Sequence, residues 1–343
     1  MPTQEHTLRK LGFLTIGLFD PTDPAAGHRS TLEIIELGER LGFDSAWLRH
    51  RHLQFGISSP VAVMAAASQR TSRIELGTAV TPLGWENPLR LAEDLATVDL
   101  LAGGRINPGL SVGEPMNYHT VKHELYPDSS ESEDFSYARV DRFARLVAGE
   151  KVRDFSGKQG VVEEYSNRVE PHSPGLRSRL WYGAGSMKSA VWAGANGFNL
   201  LSSSVIFPDK DQEPDFARVQ QSQIRAYREA AAASGNTARA SQGLVVIPTD
   251  SASAAQQEKY QRYVDQRTPR TSAPQGPKGM LFAKDLIGTS DEIAAQLYAH
   301  EGFQEVDEVA FALPFSFDHE DYVQILSDIA GKLGPALGWN PTA

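Results

Sequence analysis

Apolar residues recur along this chain in two alternating rhythms. The run Leu11 to Phe19 is apolar and β-favouring and stops at the turn-forming Asp20-Pro21, which predicts a buried strand. Behind it, Ser30 and Glu33 have capping-box spacing and Ile34, Leu37 and Leu41 repeat at helical intervals. Gly42 supplies a left-handed stop, so a helix is predicted over 31–41. The couple returns as strand Ser45 to Leu48 with a helix opened by Ser59-Pro60. It returns again as strand Ile74 to Val80 with a helix opened by Asn87-Pro88 and closed by Gly103-Gly104. A fourth strand is predicted over Ile106 to Val112, although Pro108 is awkward in a parallel ladder.

Downstream, Leu180 to Tyr182, Asn199 to Leu201, Gly243 to Ile247 and Val309 to Ala312 read as strands. Helices are predicted at Tyr137 to Ala148, Phe216 to Ser234, Ala252 to Asp265, Asp291 to His300 after a Ser290 cap, and Asp321 to Lys332. Strands alternating with helices imply a parallel sheet, either closed as a (β/α)8 barrel or open and doubly wound; alternation alone does not separate the two. The expectation is a single domain over residues 1–343. Two stretches exceed ordinary connections, 113–136 and 266–284, and each reads as a mobile lid or as a surface insertion.

The formal net charge of −10, with no basic patch, argues against a nucleic-acid or anionic-membrane partner. Cysteine is absent, which removes disulfides, thiolate metal sites and thiol nucleophiles. The start, Met1 to Lys10, is polar, and no segment is long and apolar enough for a bilayer, so the expected compartment is the cytoplasm.

Chemistry concentrates at predicted strand ends. Tyr182-Gly183-Ala184-Gly185-Ser186-Met187-Lys188-Ser189 runs from a strand into a helix and offers free amides to an anion; taken alone it reads equally well as a plain tight turn. Arg49-His50-Arg51-His52 closes the second strand, where a histidine either moves protons or is held structurally. His119 and His123 are spaced as a helical metal pair, but the intervening glutamate of the zincin motif is missing and the segment lacks a helical pattern. No metal site is expected.

The run Trp47 to Gly56, Gly77-Thr78-Ala79-Val80, Asn87-Pro88 through Glu93-Asp94, Gly103-Gly104-Arg105, Ala184 to Leu201 and Leu286 to Glu292 together resemble the luciferase-like monooxygenases. The resemblance implies a single bacterial-luciferase-like (β/α)8 TIM barrel with inserted loops, holding FMN at the carboxyl ends of its strands. Residue by residue, it implies proton transfer or flavin positioning at His50 and a non-prolyl cis peptide at Ala79-Val80 behind the flavin ring. It further implies a carboxylate near the cofactor at Glu93. Ser111 stands where luciferase has a reactive cysteine. The phosphate site falls on Gly185, Ser186, Met187, Lys188 and Ser189. Val112 replaces a family arginine, and Lys188 is the candidate to restore its charge.

The reaction implied uses reduced FMN from a separate flavin reductase and O2 to oxygenate a small organic substrate, in a homodimer, with 266–284 as the lid. The alternatives are an F420-dependent dehydrogenase of the same fold, a non-catalytic flavin-binding protein, and an aldolase-like barrel using Lys188 or Lys284.

Overall fold

A computed structural model describes residues 7–210 and 212–341; the first six residues of the polar start lie outside the described residues. At its centre are eight parallel strands: β1 (Lys10–Thr15), β2 (Ser45–Leu48), β3 (Glu75–Thr78), β4 in two pieces (Ile106–Asn107 and Gly109–Ser111), β5 (Trp181–Ala184), β6 (Asn199–Ser202), β7 (Ala240–Gln242) and β8 (Glu308–Ala312). Each pairs in parallel with the next, and β8 pairs with β1. The ladder therefore returns on itself as a barrel, and the doubly wound alternative is excluded.

Pro108 explains the split of β4. Below it, Leu76 faces Ile106 and Gly77 faces Asn107; above it, Thr81 faces Leu110 and Pro82 faces Ser111. Residues 78–80 thus stand against Pro108 and Gly109 alone, a bulge on the β3 side. The Thr78 hydroxyl fills the gap, accepting from the Gly109 amide at 3.0 Å and donating to the Gly109 carbonyl at 2.8 Å. A Cβ on Gly109 would lie 2.1 Å from the Thr78 carbonyl oxygen, so only glycine permits this approach.

The barrel interior holds Trp47, Trp181, Leu201 and Ala310, with Leu14, Ala79 and Val80 against them. Trp47 and Trp181 meet edge to face at 5.3 Å. Under them lies a charged floor. Glu75 accepts from Lys10 at 2.7 Å, Arg239 at 3.0 Å and Asn107 at 3.1 Å, while Arg239 grips both oxygens of Glu308. With this end filled by ion pairs, the barrel's own ligand space is expected at the carboxyl ends of the strands.

Around the barrel run α1 (Pro24–Arg40), α2 (Pro60–Ser68), α3 (Pro88–Leu101), α4 (Tyr118–Leu125), α5 (Tyr137–Val147), α6 (Met187–Ala195), α7 (Phe216–Ala233), α8 (Ala254–Arg267), α9 (Ser290–Tyr298) and α10 (His319–Asp328). Several sequence expectations need correction. β1 stops at Thr15 because Gly17 turns the chain with φ +59. α1 begins seven residues early, capped by the Asp23 carboxylate on the Ala26 amide, and Ser30 sits inside it, bonded to His319. The seventh strand is 240–242 rather than 243–247; Val246–Pro248 leaves the barrel to pair with Leu286–Gly288. Thr289, not Ser290, caps α9, sharing a capping box with Glu292.

The two long loops carry structure of their own. The first contains α4, which places His119 and His123 on one helix after all. The second sends Leu281–Phe282 to pair with Val205–Ile206. Between α5 and β5, a hairpin of Gly157–Gln159 and Glu163–Tyr165 forms where no strands were expected. Among the described residues no helix is long and apolar enough to cross a membrane.

Candidate active site

At the top of β2 the chain exposes two faces. Arg49 lies two residues beyond the interior Trp47, and its guanidinium stacks over Phe315 at 4.8 Å. His50 turns the other way, and only 4% of it is exposed. Its ring packs on His52 at 4.5 Å, and His52 in turn stacks on Trp85 at 4.1 Å. Glu86 completes the group, with Oε1 3.9 Å from His50 Nε2.

Among the described residues neither nitrogen of His50 has a hydrogen-bond partner. Burial, reinforced by neighbouring His52 and opposed by the Ser58 backbone, lowers His50 to about 3. Burial also lowers His52. Glu86 moves the opposite way: burial and then Asp94 push it up to about 7, against Arg139. Two neutral imidazoles therefore face a carboxyl that titrates near neutrality, an arrangement able to hold or release one proton. The donor atoms of His50, His52 and Glu86 all lie within 4.8 Å of one another, a gathering of potential metal ligands that the sequence reading did not foresee.

The loop carrying Trp85 and Glu86 is fixed from beneath by Arg139 on α5. Arg139 donates to the carbonyls of Leu83 at 2.8 Å and Glu86 at 2.7 Å and pairs with Glu133 at 2.9 Å. Tyr126 adds a bond to the Gly84 carbonyl. Loop 113–136 is thereby strapped onto the site wall. Nothing in the sequence marked Arg139, because an arginine in an amphipathic helix ordinarily reads as solvent-facing.

Ala79 and Val80 are joined by a cis peptide and lie half-buried at the rim above the interior tryptophans. Val80 reaches β5, where a Cβ on Gly183 would come within 2.8 Å of its Cγ1. Next to it the chain enters α6. Ser186 caps the helix by accepting from the Ser189 amide at 3.3 Å, and the Ser189 hydroxyl accepts from the Ser186 amide at 3.1 Å. Lys188 projects exposed from the same turn, while Met187 and Gly185 are half-buried. A planar ring against 79–80 and an anionic tail at 185–189 would fit this geometry, since the turn combines a helix amino terminus with a nearby cation. Of the remaining expected residues, Ser111 ends β4 and is half-buried beside Pro82. Glu93 lies on α3 and forms an ion pair with Arg90.

Comparison with known proteins places these features in a family. Over 193 residues the chain is 32% identical to an F420-dependent glucose-6-phosphate dehydrogenase of Kribbella flavida, covering 52% of this chain and 54% of that protein. It is 33% identical over 176 residues to a limonene 1,2-monooxygenase of Rhodococcus erythropolis, covering 47% and 44%. The chain thus spans about half the length of the curated relatives it matches. Among solved structures, the monooxygenase RslO1 from Streptomyces bottropensis superposes with a TM-score of 0.72 at 21% identity, over 95% of this chain and 99% of that one. The oxygenating constituent of 3,6-diketocamphane monooxygenase from Pseudomonas putida, in complex with FMN, gives 0.64 at 16% identity over 96% and 98%. The sequence pattern of the luciferase-like monooxygenases matches residues 10–305, and the chain belongs to that family.

Proposed function

We propose that this protein is a flavin-dependent monooxygenase that uses reduced FMN and O2 to oxygenate a small organic substrate. The observation that carries the reading is the juxtaposition at one rim of the half-buried Ala79-Val80 edge and the amide-rich turn 185–189. The edge supports a flat ring and the turn holds a phosphate. When bound, the reduced flavin would supply the electrons that let one oxygen atom of O2 enter the substrate while the other leaves as water.

The residues of this chain do the rest. Ser186, Ser189 and Lys188 bind the tail. His50, kept neutral by burial, accepts or passes a proton through Nε2, and Glu86 is its proton reservoir near pH 7. Leu53, Phe55 and Met116 form an exposed apolar rim, and the exposed tip of loop 266–284 closes over the mouth to exclude water. A separate flavin reductase, a homodimer and a cytoplasmic setting belong to the same reading.

A second reading is an F420-dependent dehydrogenase, favoured by the similarity to proteins carrying that activity. Titration with oxidised FMN, reduced FMN and F420, followed by oxygen uptake across a substrate panel, separates the two. Tight binding of reduced FMN with product-coupled oxygen uptake supports monooxygenation. Binding of F420 with hydride transfer and no oxygen uptake overturns it.

A further inference from the structure

We propose that the substrate is an organic anion, with a carboxylate or sulfonate group held by Arg51 and Arg49. This inference rests on the flavin reading for the reaction, although the anion site itself stands on separate residues.

A cavity of about 280 Å³ opens at the barrel mouth, lined by Ile16, Leu18, Arg49, Arg51, Gln54, Met116 and Phe315. Its apolar residues come from the loops after β1, β4 and β8, and both arginines come from the loop after β2. Small-molecule sites commonly combine such an apolar lining with a few fixed polar groups.

The arginines are unusual for what they lack. Both are half-buried, yet among the described residues neither guanidinium has a carboxylate within 4.0 Å or a hydrogen bond to any side chain or carbonyl. Three other partly buried arginines are satisfied within the protein. Arg105 and Arg177 spend their donors on backbone carbonyls, and Arg239 is gripped by Glu75 and Glu308. The contrast is sharpest at Phe315, whose ring has Arg49 over it at 4.8 Å and Arg267 at 5.0 Å. Arg267 is neutralised by Asp285, while Arg49 has only the ring. In a chain with 43 acidic and 33 basic side chains, two half-buried cations without counterions point to a partner from outside.

A planar guanidinium presents paired N–H donors that match a carboxylate or sulfonate, and desolvation at the mouth strengthens the contact. Burial already lowers the Arg51 pKa, the cost that an incoming anion would relieve. The tail of the flavin does not compete for these groups, because its turn lies after β5, across the barrel from β2.

The experiment uses the full chain, with and without bound flavin, and three probes of matched shape: cyclohexanecarboxylate, cyclohexylmethanol and cyclohexylmethylamine. Calorimetric titration should show the carboxylate binding at least tenfold more tightly than the alcohol, with the preference shrinking as salt is raised. Arg51→Gln should abolish the preference, Arg49→Gln should reduce it several-fold, and Arg51→Glu should invert it toward cyclohexylmethylamine, an inversion that a misfolded protein cannot produce. Equal affinity for the carboxylate and the alcohol, or an unchanged preference in Arg51→Gln, overturns the proposal. Loss of flavin binding with an intact, arginine-dependent carboxylate preference would instead sink the flavin reading and leave this site standing.

Discussion

Trp181 donates its indole N–H to Asn107 Oδ1 at 3.0 Å, and the amide of Asn107 reaches Glu75 at 3.1 Å. This polar residue joins the buried tryptophan to the charged floor. Replacing it with leucine would strand the indole N–H and one contact of Glu75. The expected cost is about 2–3 kcal/mol, the penalty for a buried donor left unmade, read from urea unfolding monitored by tryptophan fluorescence. An unchanged midpoint would show that water replaces the amide.

The hydroxyl of Thr78 substitutes for two ladder rungs at the β3–β4 bulge. Thr78→Val keeps the shape and removes both bonds, with an expected loss of about 1–3 kcal/mol in the same unfolding measurement. Thr78→Ser should retain most of the stability.

Stability should depend on pH through Glu86. Its folded carboxyl titrates at about 7 against an ordinary 4.5, so in that window the folded protein keeps a proton that the unfolded chain has lost. Its contribution to stability therefore falls as pH rises from 4.5 through 7. Glu86→Gln should be more stable than the parent at pH 8 by about 2 kcal/mol, the linkage value discounted for partial solvent access, and little different at pH 4.5. His50 slopes oppositely: its folded value of about 3 lies below the ordinary 6.5, so its contribution is complete above pH 6.5 and is lost as pH falls toward 3.

Ser186→Asp should preserve α6, because aspartate caps a helix as well as serine does. It also places a negative charge where the flavin tail is proposed to sit. Flavin affinity should fall tenfold or more with the melting temperature nearly unchanged, measured by fluorescence quenching and calorimetry. Lys188→Ala should weaken binding at low salt and less so at high salt, since its contribution is electrostatic.

Arg139 buttresses the loop that presents Glu86, and it is only 3% exposed. Arg139→Met would remove the ion pair with Glu133 and leave three carbonyls without this donor, costing about 3–5 kcal/mol as for a broken buried ion pair. Limited proteolysis should then cut within 113–136 first.

Much of this molecule was legible in the sequence because strong local signals agreed with the fold. The strand–helix rhythm, the proline-opened helices α2 and α3, and the turn before α6 all sit near their expected places. The misses have physical causes. Ser30 and Glu33 have capping-box spacing, yet Asp23-Pro24 offers an earlier start and the helix takes it. The apolar run 243–247 reads as one strand, although the chain leaves the barrel within it to pair with residue 286 onward. At the site, His50 was singled out because it follows directly on a strand. Trp85, Glu86 and Arg139 were not, since their importance arises only when the loop after β3 folds against α5. The two arginines flanking His50 were read merely as neighbours; their lack of counterions is a property of three dimensions.

The break of β4 at Pro108 has a mechanical consequence. Below the proline the strand pairs with β3 through Asn107, and above it Leu110 pairs with Thr81 on one side and β5 on the other, so no straight line of weakness runs from base to rim. A cylinder built in this way can loosen around its opening to admit a guest while its foundation stays shut. Deuterium should accordingly enter the amides of Gly109–Ser111 well before those of Ile106 and Asn107.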